Sequence, residues 1–297
     1  MSRWLVALAV TSSASASAQP VTSALPDTGH PAVVALVNAD NQLVCTGAVI
    51  EAHTVITAAH CVAGDPLTLR AFFGSSTADG GRFIAVMNAR AHPLFDPGGN
   101  DIALITLGDT APSAPLALAP PLSGALVGTM IDVVGFGITG NGLGGEGIKR
   151  TGTAKIAGIA VEDFTAVPSP SLSCLGDSGG PALLAGDQIA GVVSRVDSQC
   201  VDHAVYTRID VAQDVLIAPY LAETAPGAAG EGEPCFYDGH CADGLECRGT
   251  PHTCQPTSSG CNTSGSDPRS ALIVVGALLF ALGRRRSTRN QRRIARA

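Results

Sequence analysis

The sequence predicts an all-β protein, an antiparallel barrel or sandwich, over most of its 297 residues. Three observations carry this. Short apolar runs recur from about residue 30 to 223, each broken by Gly, Pro, Asp or Asn. No clear helical period runs between them. Aromatic residues make up only 4% of the chain while Gly numbers 35 and Pro 19, which suits many short strands and turns. The length allows a sizeable core with a smaller module attached.

In chain order, the N-terminus has Arg3, an apolar run Trp4–Val10 and small residues ending Ala16-Ser17-Ala18. That is the layout of a secretory signal peptide over 1–18; an N-terminal anchor would need a longer apolar stretch. Strands are expected at Ala32–Val37, Leu43–Ile50, Thr54–Ala58, Phe83–Met87, Ile102–Leu107, Ile131–Phe136, Gln188–Ser194 and Ala204–Thr207. One helix is expected at Val211–Leu221, its apolar side formed by Val211, Val215, Leu216 and Leu221. The Gly/Ala/Glu/Pro-rich residues 224–234 read as a linker after a main domain over 19–223.

Cysteines then crowd together at 235, 241, 247 and 254, within a module of residues 235–256. Two disulfides would staple it, in any of three connectivities. Zinc is the rival reading, helped by His240 and His252, but C-x5-C-x5-C is not a usual zinc spacing. Residues 257–297 hold a polar spacer with Gly260-Cys261, an apolar run Ala271–Leu282 and Arg284-Arg285-Arg286. Twelve apolar residues are short for a full span. Their terminal position between spacer and arginines argues against a buried core helix and for a transient membrane stop, with the basic end cytoplasmic.

The formal charge of −7 conceals a division. Residues 284–297 hold seven arginines, leaving 11 basic against 25 acidic residues in the remaining 283, net −14. So acidic a body argues against nucleic acid as a partner. Export makes disulfides the default reading of the nine cysteines.

Three motifs carry chemistry. Cys174-Leu175-Gly176-Asp177-Ser178-Gly179-Gly180-Pro181 sets a serine between glycines that allow a tight turn, so that the N–H groups of Gly176 and Ser178 can face one space. A serine needs a base to take its proton and donors to stabilise the oxyanion that follows attack on a carbonyl; alone, the run could be a mere turn. Thr57-Ala58-Ala59-His60-Cys61 offers the base at the end of a strand. Asn100-Asp101-Ile102 offers a carboxylate at the entry of a very apolar strand, where it is costly to bury unless a donor such as a histidine N–H satisfies it. The remaining histidines, His30, His53, His92, His203, His240 and His252, have no such constellation and are expected on the surface or in loops.

The order His, Asp, Ser and these motifs resemble the trypsin/chymotrypsin family of serine endopeptidases over roughly residues 25–223. The resemblance implies two six-stranded antiparallel barrels with the site between them. It implies His60 as general base, Asp101 as its orienting carboxylate, Ser178 as nucleophile, and the Gly176 and Ser178 N–H groups as oxyanion hole, with no metal or organic cofactor. Ser194 would support Asp101 and begin the substrate-pairing segment. Cys45–Cys61 and Cys174–Cys200 match the family's disulfides beside the histidine and the specificity pocket. His92-Pro93, Val134-Gly135-Phe136-Gly137 and Val205-Tyr206-Thr207-Arg208 resemble further family signposts. An esterase of the α/β-hydrolase type does not fit, because its order is Ser, acid, His.

The chain departs from the pattern in three places. Leu172 stands at the pocket floor, where members cleaving after Lys or Arg carry an aspartate; an apolar floor would leave a buried cation unpaired. With Val196 narrowing the entrance, small or medium apolar residues are the expected substrate side chains. Arg195 takes a place usually held by an aromatic residue, either to favour an acidic neighbouring subsite or as a solvated surface arginine. No Ile-Val-Gly-Gly-like start is visible, and residues 4–69 contain neither Lys nor Arg, which excludes a tryptic activation cut there. Counting back places the family's N-terminus near residues 17–19, so signal cleavage itself could free the ammonium that reaches Asp177. The tail around Cys261 resembles myxobacterial sorting signals. The expectation is an exported or surface-displayed bacterial endopeptidase acting on proteins or peptides; the alternative is a non-catalytic binding protein on the same fold.

Overall fold

The computed structural model describes residues 26–139 and 144–257. Strands β1 (Val33–Val37), β2 (Leu43–Glu51), β3 (Thr54–Thr57), β4 (Arg70–Phe73), β5 (Arg82–Ala91) and β6 (Ala103–Leu107) close into one antiparallel barrel in the order β1-β2-β3-β6-β5-β4. Strands β7 (Met130–Gly135), β8 (Arg150–Ile159), β9 (Asp163–Pro168), β10 (Pro181–Leu184), β11 (Gln188–Val196) and β12 (Ala204–Arg208) close a second, ordered β10-β11-β12-β9-β8-β7. Closure removes the unpaired edges that open sheets must otherwise protect.

The period of two along β1 explains why it is apolar throughout. Val34 and Leu36 fill the first barrel, while Val33, Ala35 and Val37 join the cluster between the barrels with Ile102, Leu104, Val134, Phe136 and Val192. Both faces are covered, so no polar alternation survives. The seam between barrels is thus a packed core, and β6 runs into it directly after Asp101.

Strands β4, β8, β9 and β10 were not among those expected. In β8, Arg150-Thr151-Gly152-Thr153-Ala154-Lys155 carries a weak apolar signal because its outer face holds polar residues and only Ala154 and Ile156 enter the barrel core. β4 and β10 span four residues each, too short for a period to show.

The C-terminal helical segment winds as a 3-10 turn (Asp210–Ala212), a π turn (Gln213–Ile217) and α1 (Ala218–Glu223). The changes of winding shift its phase. Val211 and Val215, expected on the buried side, are exposed, whereas Leu216 is buried as expected, together with Ala212, Ile217 and Tyr220.

The cysteine module folds as the hairpin β13 (Leu245–Arg248) and β14 (Thr253–Pro256), with the pairs Cys235–Cys247 and Cys241–Cys254. Residues 224–234 are bonded into it: Gly227 N donates to Gly239 O at 2.8 Å and Ala229 N to His240 O at 3.0 Å. The module sits on the first barrel, where the Tyr237 ring stacks on His53 at 3.7 Å. His240 and His92 lie in loops, as expected, and are buried there.

No described helix is long and apolar enough to cross a membrane. The predicted signal peptide, Cys261 and the apolar segment 271–282 lie outside the described residues.

Candidate active site

β3 ends at Thr57, and the chain turns through a short 3-10 segment, Ala59–Val62, that carries His60. The Cys45–Cys61 bridge ties that turn to β2. Asp101 arrives from the other side, directly after Asn100, which holds a left-handed φ of 52°. The carboxylate is 4% exposed and fully engaged. Its Oδ2 accepts from His60 Nδ1 at 2.7 Å and from Ser194 Oγ at 2.7 Å, and its Oδ1 accepts from His60 N at 3.0 Å. Burial alone would push this carboxyl up; the His60 and Ser194 donors outweigh it and hold the group below its ordinary value. An anion bound to Nδ1–H leaves Nε2 as the ring's acceptor.

Ser178 lies in the turn between β9 and β10. Its carbonyl accepts from Thr46 N at 2.8 Å and lies 3.8 Å from the disulfide-bonded Cys61 Sγ, which seats the serine against the turn that carries His60. Gly179 makes that approach feasible. Its φ is 78°, and a Cβ there would fall 2.5 Å from Thr46 O and 2.7 Å from Ala58 N. Within the turn, Leu175 O accepts from Ile138 N at 2.9 Å and Asp177 O from Gly180 N at 2.8 Å. Since N–H and C=O of a trans peptide point opposite ways, the N–H groups of Gly176 and Ser178 are turned away from those donors. Neither finds an acceptor among the described residues.

Asp177 is buried beneath this turn, its Oδ1 accepting from Gly137 N and its Oδ2 from Cys174 N, both at 2.8 Å. Burial pushes its carboxyl up to about 6, against the opposing pull of those N–H groups and the Arg150 charge.

The residues expected to shape the substrate pocket lie on the second barrel. Leu172 is fully buried among that barrel's apolar side chains. Val196 is half-buried and pairs across β11 and β12 with Ala204, so two apolar side chains face each other there. Cys174–Cys200 bridges the segments around them. Two participants were missed in the sequence. Thr46 donates through Oγ1 to Gly176 O at 2.9 Å and accepts from Phe136 N at 3.2 Å, tying the serine turn to both barrels. Its only sequence signal is its place beside Cys45. Ser173 Oγ lies 2.9 Å from Tyr206 Oη, whose ring stacks on Phe164 at 5.0 Å. Burial pushes the Tyr206 hydroxyl's pKa up, so it stays neutral.

Two closed antiparallel barrels, with a histidine–carboxylate pair from one and a glycine-framed serine turn from the other, define the double-barrel class of serine hydrolases. The chain belongs to the trypsin family of serine proteases: the family model described as Trypsin matches residues 21–216. It is 29% identical to a trypsin of Saccharopolyspora erythraea over 210 residues, covering 63% of this chain and 92% of that one. It is 30% identical to human granzyme M over 182 residues, covering 53% of this chain and 71% of the relative. The solved structure of neuropsin, a serine protease of mouse brain, superposes with a TM-score of 0.57 at 23% identity, covering 67% of this chain and 96% of neuropsin. That last likeness concerns the fold.

Proposed function

We propose that the protein is an exported serine endopeptidase that works through an acyl-enzyme. Ser178 Oγ attacks the peptide carbonyl and gives its proton to His60 Nε2. The resulting oxyanion is held by the N–H groups of Gly176 and Ser178. On collapse of the tetrahedral species the C–N bond breaks and His60 returns the proton to the leaving amine. Water, deprotonated by the same histidine, then hydrolyses the ester and frees Ser178. Asp101 orients His60 and offsets the imidazolium charge.

The observation that carries this reading is the triply bonded Asp101 carboxylate. A buried anion given over to the ring N–H of an exposed histidine, beside a serine turn with two N–H groups that meet no acceptor among the described residues, has little purpose as a structural bond alone. The apolar set Leu172, Val196 and Ala204 supports cleavage after small or medium apolar residues. The signal-like N-terminus and the disulfides support export, and the tail supports transient membrane contact and surface display in a bacterium.

Labelling with a fluorophosphonate, which reacts with an activated serine, tests the chemistry. The expected result is stoichiometric labelling of the wild type and none of Ser178→Ala. Labelling that does not depend on Ser178 would favour a binding protein on this fold. In a peptide library, cleavage should follow Ala, Val or Leu; dominant cleavage after Lys or Arg would overturn the pocket reading.

A further inference from the structure

We propose that Arg195 and Asp163 form a latch between the barrels that positions the loop carrying Asp101. The inference rests on the protease reading and adds two positioning residues to it. Successive side chains of a strand normally point to opposite faces, yet Ser194 and Arg195 both reach the first barrel. Ser194 Oγ donates to Asp101 Oδ2 at 2.7 Å, and Arg195 Nη1 donates to Gly98 O at 3.2 Å. A shift of register between Val193 and Arg195 in the pairing of β11 with β12 makes this geometry available. A bulge next to an active site re-aims side chains in this way.

The guanidinium is anchored on its own barrel. Nη2 donates to Asp163 Oδ2 at 3.2 Å, at the start of β9, so one planar group joins β9, β11 and the loop before β6. That loop transmits a pull. Asp96 Oδ1 accepts from Gly98 N at 2.6 Å and from Gly99 N at 3.0 Å, and the backbones of Asp96 and Gly99 exchange hydrogen bonds. Gly98 therefore moves with Asn100, whose φ of 52° is unusual for a residue with a side chain, and Asn100 leads directly into Asp101. An arginine whose side chain is 40% exposed needs no such partners for solubility. Its fork spans two acceptors on different elements, which a lysine satisfies only one at a time.

The test uses the full chain with Arg195→Met, Arg195→Lys and Asp163→Asn. Diisopropyl fluorophosphate, which has no peptide portion, reads the alignment of Ser178, His60 and Asp101 without touching distant subsites. With Arg195→Met, the labelling rate and kcat on a short apolar amide should both fall about ten-fold, with KM within about two-fold, as expected of small misplacements of catalytic groups. Arg195→Lys should recover part of the rate, and Asp163→Asn should lower it in the same direction with its wild-type thermal midpoint retained. Unchanged labelling by Arg195→Met and Asp163→Asn, with KM raised, would make Arg195 a wall of the substrate groove and overturn the latch. A wild-type chain that resists the reagent overturns the protease reading itself, and the latch with it, a result distinct from equal labelling of all forms.

Discussion

Histidines stand at two junctions of this molecule, and their surroundings differ in one decisive respect. At the seam between the barrels, His60 is bonded to an ionised, buried carboxylate, and its side chain is 39% exposed. At the junction of the first barrel with the cysteine module, His53 has neutral partners, its Nδ1 donating to Leu107 O at 3.3 Å and its Nε2 accepting from Thr110 Oγ1 at 3.2 Å, and is stacked on Tyr237. His240 is bonded to Glu223 O at 2.9 Å and flanked by Phe236 and Tyr237, with its Nδ1 buried and unpaired among the described residues. Burial lowers the His53 pKa, partly offset by the Leu107 carbonyl and the Asp109 charge, so the neutral ring is favoured. A histidine beside a fixed anion is prepared to receive a proton. Histidines packed against rings and carbonyls, as at the module, hold a surface in place.

The largest effect that would break this contrast is at Asp101. Asp101→Asn keeps the size of the side chain but removes the anion and can present an N–H where the ring N–H must be accepted. In a triad of this geometry such a change lowers kcat about 10⁴-fold by favouring the wrong tautomer. We expect that loss in steady-state hydrolysis of an apolar amide, with a native far-UV spectrum. A loss below about ten-fold would mean that the carboxylate is a structural bond, like those at the module.

A smaller effect separates the two buried aspartates of the front. The Asp177 carboxyl is raised from its ordinary 3.8 to about 6, so the folded state holds this proton more tightly than the unfolded chain. Its contribution is full below pH 4 and is lost as pH rises through 6, a change of about 3 kcal/mol. Asp101 has the opposite sign: its lowered pKa stabilises the fold above the ordinary carboxylate range, and acid removes that. Urea unfolding of the chain with its N-terminus intact, at pH 4 and pH 7, should show the decline, and Asp177→Asn should abolish it. In a processed chain whose new ammonium reaches Asp177, the carboxylate gains a partner and the decline should shrink or reverse. Equal slopes in the two forms would count against activation by the freed terminus.

Much of the front was legible in the sequence because its constraints are local. Gly179 must be glycine to let Ser178 approach Thr46 and Ala58, and Asp101 stands out as a carboxylate at the mouth of an apolar strand. What escaped depends on long-range register. Arg195 could be read only as a choice between a subsite and a surface charge, because its contact with Gly98 follows from a bulge that no residue type announces. β8 was silent because its outer face is polar and only Ala154 and Ile156 enter the core, and β9 because it brings only two residues, Phe164 and Ala166, into it. The burial of His240 in its loop escaped for a related reason. A module with few core residues buries its histidine against the end of α1, a surface that the module's own sequence does not contain.

That burial leads to the smallest predicted effect. His240 Nε2 must donate to the Glu223 carbonyl, because a carbonyl only accepts, and the buried Nδ1 has no partner among the described residues. His240→Phe removes one hydrogen bond, worth about 1 kcal/mol, and removes the unpaired nitrogen at the same time. The ring contacts with Phe236 and Tyr237 are available to phenylalanine as well. The two changes oppose each other, so the variant should unfold within about 1 kcal/mol of wild type and keep full kcat. Chemical denaturation at neutral pH, with kcat measured in parallel, reads both quantities. The corresponding change at His60 should likewise leave the fold intact but remove the activity. If His240→Phe also lowered kcat, the two junctions would be coupled, and the module would be acting on the seam rather than only resting on the barrel behind it.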